Sequence, residues 1–295
     1  MAQFNRHSSS WHIINSDYKM TVTNKVMYIA FNSLLLFFPA VRQNFVKKKF
    51  TPSTTLLERV SSIHSTPVSP SRLLSDLFWI SLDWSNIEKV IGSPIRIFEV
   101  GCGTGRYGTL INSVHPIQTY TGLDFFESKE WIKAEKDKFS FIQSSFENFQ
   151  EAVTDQNVIV TQSALEHFDK DMLLMHQIGV YARKREETTY AIHLIPSSAG
   201  LFKFLFHGIR YYNLGSINRL IAHSNGPNST TVYFLGGPFS NSFHILNITL
   251  RSLVFKKPIS TIHPNKYYSK LTKAIIRDSK FRFLHSSSFY AVLMT

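Results

Sequence analysis

One stretch constrains this chain more than any other: Phe98-Glu99-Val100-Gly101-Cys102-Gly103-Thr104-Gly105-Arg106-Tyr107-Gly108. An apolar run enters a turn with glycine at every second position, then leaves into a helical pattern. Glycine lets the backbone take left-handed angles and lets another molecule approach it closely. A buried strand, a glycine turn and a helix, in that order, form one unit of a parallel α/β sheet. The spacing is G-x-G-x-G. A dinucleotide fingerprint, G-x-G-x-x-G, would need its third glycine at position 106, which is Arg106. The turn is therefore not a pyrophosphate cradle of that kind.

From Ile95 onward, short apolar runs alternate with helical stretches. The pattern predicts strands at 95–100, 118–123, 139–143, 157–161 and 188–194, with helices near 106–114, 127–137, 146–152 and 170–184. The chain end, FRFLHSSSFYAVLMT, reads as two short strands around His285-Ser286-Ser287, an antiparallel hairpin closing the sheet. Leu73 to Ile91 reads as one helix stopped by Pro94. The fold expected is α/β: a Rossmann-like, mostly parallel seven-stranded sheet with helices on both faces. Residues 1–90 form a helical extension and 91–196 the core. Residues 197–265 form a basic cap over the site, and 266–295 supply the last helix and the closing strands.

Composition limits what surrounds this core. Of the 295 residues, 43% are hydrophobic and 18% charged, which excludes a disordered or fibrous chain. The lone cysteine, Cys102, cannot form an intrachain disulfide and suits a reducing compartment. The net charge of +12 is uneven: residues 196–295 hold 12 Lys/Arg against one acid, Asp278, whereas 94–195 hold 10 against 14. Such asymmetry points to an anionic partner for the last third.

Near the amino terminus, Val26–Val41 is an apolar run of 16 residues, with Arg42 and Lys47-Lys48-Lys49 close behind. A bilayer span needs about 20 apolar residues. The run therefore reads as an interfacial anchor on an anionic membrane surface, as a helix packed on the core or, least favoured, as a true span. Residues 1–20 carry no signal-peptide pattern, so the expected location is cytoplasmic, peripheral on the inner face of a membrane.

Further motifs follow the glycine turn. Asp124, in Tyr120-Thr121-Gly122-Leu123-Asp124-Phe125, lies 19 residues past Gly105 at the end of the next strand. An acid about 20 residues on is placed to meet two ribose hydroxyls. Val160-Thr161-Gln162-Ser163-Ala164-Leu165-Glu166-His167-Phe168 ends another strand in an acid and a histidine.

Taken together, residues 95–195 resemble the class I methyltransferases that use S-adenosyl-L-methionine (AdoMet), with the glycine turn as their motif I. The post-strand S-x-L-E-H is similar to that of members acting on sugars, quinone precursors and other small molecules. The resemblance implies a cofactor site of Glu99, Gly101, Cys102, Gly103, Gly105, Asp124, Phe125, Ser145, Phe146 and Gln162. In it, Glu99 lies toward the cationic amino-acid end and Asp124 toward the ribose. Family members often carry an Asp that bonds the adenine amine where this chain has Ser145. No N/D-P-P-Y/F element follows the strand, which argues against methylation of nucleic-acid bases.

For a hydroxyl acceptor a general base helps, and His is the usual choice near neutral pH. His167 and His193, at predicted strand ends, are the catalytic candidates, with His207, His223 and His244 in reserve. Glu166 has no identifiable second ligand, so no metal is expected. The leading reading is an AdoMet-dependent methyltransferase for an oxygen of a small-molecule, glycan or lipid-linked acceptor. An RNA methyltransferase is the runner-up, and a non-catalytic adaptor with the same fold comes third.

Overall fold

In the computed structural model the described residues are 21–37, 44–60, 64–134, 137–201, 203, 208, 210–224, 229–255, 262–281 and 286–295. Eight strands form one sheet in the order β1-β7-β8-β6-β5-β2-β3-β4. They are β1 (Val46–Lys49), β2 (Arg96–Val100), β3 (Thr119–Asp124), β4 (Phe139–Gln143), β5 (Val158–Gln162), β6 (Tyr190–Pro196), β7 (Thr230–Leu235) and β8 (Phe289–Met294). β8 runs antiparallel to both β6 and β7, and every other pairing is parallel.

Alternation along the strands divides the core. Successive side chains point to opposite faces of a sheet. Ile97, Val158, Val160, Ile192 and Leu194 fall on one face, packed with Leu73, Leu77, Trp84, Ile111, Leu271 and Ile275. Phe98, Val100, Ile159, Ile195 and Val232 fall on the other, packed with Leu174, Ile178, Ile217 and Leu220. Strands buried on both faces read as near-continuous apolar runs, as these do.

Several expectations change. The helix predicted over Leu73–Ile91 is two helices, Pro70–Ser81 and Trp84–Ile91. Leu82 takes an extended conformation, and the Asp83 side chain accepts a hydrogen bond from the Asn86 N–H, capping a second helix. The left-handed Gly92 (φ 82°) ends that helix before Pro94 is reached. Both helices, expected in an extension, are built into the sheet's packing.

The segment 197–265 supplies β7, so part of the expected cap is core. Of the closing hairpin, the second strand is β8, which follows a helix over Pro264–Lys280 and pairs antiparallel with β6 and β7; residues 282–285, in the first, lie outside the described residues. The eighth strand, β1, is an exposed lysine-rich edge, a composition that discourages further strand pairing. The amino-terminal helix covers Val22–Phe37, and the remainder of the run to Val41 lies outside the described residues. No helix among the described residues is long and apolar enough to cross a membrane.

Candidate active site

The chain crosses from β2 to β3 on one side, while β5 lies on the other. In open α/β sheets, ligands bind outside the carboxyl ends of the strands at such a switch point. The loops after β2 and β5 meet there: a Cβ added at Gly101 would fall 2.5 Å from the Ala164 Cβ.

Gly101, Gly103 and Gly105 all adopt positive φ, at 75°, 53° and 75°. Side chains at Gly101 and Gly105 would strike Ala164 and the Phe141 ring. Gly103 differs, because a Cβ there meets nothing within 4 Å. Its carbonyl accepts from the Trp131 indole N–H at 2.8 Å, and that ring stacks on Phe141 at 5.0 Å. Its N–H donates to Asp124 Oδ2 at 2.8 Å, and the Phe126 N–H donates to Oδ1 at 3.0 Å. A carboxylate has about four lone-pair sites, so two stay available for a ligand. An open glycine backbone facing a fixed carboxylate fits a nucleoside with its two ribose hydroxyls.

Glu99 sits deeper, at 1% exposure. It accepts from Tyr120 Oη at 2.5 Å, and burial raises its pKa to about 8, with the nearby Asp124 charge adding to the rise. Cys102 is also buried, and burial pushes its thiol well up from its ordinary value. Phe125 is 47% exposed, its ring edge-on to Phe126. Ser145 caps the turn that follows β4, its Oγ accepting from the Glu147 N–H at 3.3 Å. Phe146 stacks on Phe168 at 4.3 Å. Gln162 is held by the Trp79 indole N–H at 2.8 Å and donates to Ser163 Oγ at 2.9 Å. Ser163 is the only non-glycine with positive φ among the described residues (50°), a strained conformation at the strand tip.

The two histidines part company. His167 lines a cleft of about 300 Å³ with Ser71, Arg72, Tyr107, Gln162 and Ser163. His193 lies inside the sheet at 1% exposure, its Nδ1 2.9 Å from Thr161 Oγ1, and burial lowers its pKa to about 3. It does not line the cleft that holds His167, and its in-sheet neighbours are Thr161 and Val292. His223, exposed, bonds the Arg219 carbonyl, and His244 is buried. His207 lies outside the described residues. No group of three or more potential metal ligands occurs among the described residues.

Residues that sequence reasoning passed over complete the site. Arg106 makes a bidentate pair with Asp76 at 2.7 and 2.8 Å, and His64 Nε2 lies 3.1 Å from the same carboxylate. Burial opposes the Asp76 charge, but His64 and Arg106 together hold its pKa below the ordinary value. The pair ties the helix Pro70–Ser81 to the glycine loop. A cation at a helix start opposes the helix dipole, so Arg106 signalled a need for a counter-charge; nothing in the sequence marked Asp76 as its source. A second cavity of about 290 Å³, bordered by Ile178, Arg183 and Glu187, opens away from the glycine loop.

No family model matches the chain, and no curated protein does. Among solved structures, it is similar to a SAM-dependent methyltransferase from Archaeoglobus fulgidus, at 15% identity over 82% of this chain and 99% of that one, with a TM-score of 0.46. The methyltransferase domain of bacterial CtHen1 gives 12% identity over 72% of this chain and 95% of that one, with a TM-score of 0.45. The plantazolicin methyltransferase BpumL, solved with a substrate analog and SAH, gives 13%, 82%, 89% and 0.37. At such identities and TM-scores these likenesses decide nothing about what the chain does. Sheet order and glycine loop speak for the architecture on their own. The chain has a Rossmann-like, mostly parallel α/β fold.

Proposed function

We propose that this chain is an AdoMet-dependent methyltransferase that methylates an oxygen of a small, glycan or lipid-linked acceptor, one carrying negative charge. One observation carries the reading: Gly101 and Gly105 flank an open left-handed backbone position at Gly103, whose N–H is bonded to Asp124, and His167 lines a cleft with Tyr107 of the following helix. Bound AdoMet supplies an electrophilic methyl group. The chain's residues do the rest.

Asp124 accepts the ribose hydroxyls, and Gly101, Gly103 and Gly105 leave room for the ligand's body. Glu99 and Cys102 lie beneath the loop, with Glu99 on the side of the ligand's ammonium. Phe125, Ser145 and Phe146 border the base, and Gln162 holds the strand tip. In the cleft, Arg72 pairs with the acceptor's anionic group, and His167 takes the proton from its hydroxyl. Holding the acceptor oxygen in line with the methyl group supplies much of the rate, because orientation replaces a bimolecular encounter.

RNA as acceptor has one observation in its favour. Lys266, Lys270, Lys273, Arg277 and Lys280 stand exposed on one helix, at spacings that place them on one face. The test is transfer of label from methyl-labelled AdoMet into fractionated cell extract. Base-stable label in the lipid or small-glycan fraction is the expected result. Label confined to RNA would replace this acceptor with the second one. An AdoMet-binding protein that labels no fraction would support the non-catalytic adaptor.

A further inference from the structure

The helix Val22–Phe37 is docked through Tyr28 and Asn32. Tyr28 and Asn32 are buried, and Asn32 Oδ1 accepts from the Tyr211 N–H at 2.9 Å. Facing outward are Val22, Val26, Met27 and Leu34, between 42% and 78% exposed. A surface helix ordinarily turns its polar stripe to solvent. Here apolar side chains, with Thr23 and Lys25 beside them, make up much of the outward surface instead.

A second stripe has the same character. The helix Pro238–His244 continues through a π turn, Ile245–Thr249, into Leu250–Phe255. Along it Leu246, Leu250 and Val254, four residues apart, are 62%, 42% and 64% exposed. Both helices attach to the segment after β6: Leu201 packs with Tyr28, and Lys203 Nζ donates to Asn241 Oδ1 at 2.5 Å.

Charge identifies what covers them. Neither helical segment contains an Asp or Glu. The helix Pro264–Lys280, with its exposed basic face, is docked directly against Pro238–His244: Asp278 accepts from the Phe239 and Ser240 N–H groups at 2.9 Å, and the Arg277 guanidinium lies over the Phe239 ring. An exposed aliphatic stripe packed beside a basic helix matches a layer of apolar chains under anionic headgroups. RNA would use the lysines but not the aliphatic stripes.

We infer that this face, made of the two apolar stripes and the basic helix, rests on an anionic bilayer surface without crossing it. The inference is independent of what the cleft binds, so the two stand or fall separately.

Flotation of the full chain with phosphatidylglycerol-containing vesicles, beside pure phosphatidylcholine vesicles, tests it. The expected result is association with the anionic vesicles only, weakened by salt because exposed charges are screened. The doubly substituted Val26→Asp/Leu34→Asp and Leu246→Asp/Leu250→Asp chains should each lose about tenfold in vesicle binding. Exposed positions leave the fold intact, which unchanged melting and unchanged AdoMet titration would verify. Three results would overturn the inference: no flotation by the wild-type chain, vesicle binding untouched by both substitutions, or a light-scattering mass showing a dimer that the substitutions split. A tight RNA gel shift without vesicle association would assign the basic helix to RNA instead.

Discussion

At the scale of single residues, ionisation of Glu99 separates two states of the site. Burial raises its carboxyl to about 8, so it holds a proton at neutral pH. Placing a ligand's ammonium beside it favours release of that proton. AdoMet affinity is therefore expected to rise as pH rises through about 8, with proton release visible calorimetrically in buffers of different ionisation heat. Glu99→Gln should flatten the dependence, and an affinity that is level with pH in the wild-type chain would remove Glu99 from the ligand. The folding linkage has its own sign. A folded pKa above the unfolded 4.5 stabilises the chain below that value, and the contribution is lost as pH rises toward about 8. His167→Ala is expected to lower kcat by about 10²–10⁴ while AdoMet affinity holds. Normal turnover in that variant would show that His167 is not the base. His193, sealed inside the sheet, should affect stability and not the pH profile of turnover.

At the scale of elements, the helix Pro70–Ser81 is the part that makes the glycine loop rigid. Asp76 is 1% exposed on its side chain and bonded twice by Arg106. Arg106 is 34% exposed and His64 stays beside Asp76 when it is removed, so the cost is below that of breaking a fully buried pair. Arg106→Ala should lower stability by about 1–3 kcal/mol in chemical denaturation, and a loss under about 0.5 kcal/mol, typical of a surface site, would contradict the clamp. The depressed Asp76 pKa stabilises the chain above 3.8, and that contribution disappears as pH falls through the lower folded value.

How far elements were legible follows from their burial. β2, β3, β5 and β6 are largely buried and β4 is a partly exposed edge with alternating apolar residues; the positions of all five agree with the sequence reading to within two residues. β1 was invisible because Val46-Lys47-Lys48-Lys49 is an exposed edge, whose composition argues against strand. β7, Thr230-Thr231-Val232-Tyr233-Phe234-Leu235, carried a good strand signal, but the turn-rich stretches around it masked its place in the core. Gly101, Gly103, Gly105 and Asp124 could be placed because backbone conformation and spacing fix them. Asp76, Arg72 and Trp131 could not, since their roles arise from contacts between distant segments.

At the scale of the whole molecule, the proposed function turns on AdoMet binding at the switch point between β2 and β5. Titration calorimetry of the full chain with AdoMet tests this most directly, beside Asp124→Ala and Gly103→Val. The wild-type chain should bind one equivalent. Asp124→Ala should weaken binding by about 1–3 kcal/mol, the cost of leaving polar groups unpaired. Gly103→Val should abolish it, since the new side chain enters the space left open above the loop. A folded wild-type chain that binds no AdoMet, or variants that bind as tightly as wild type, would contradict the claim.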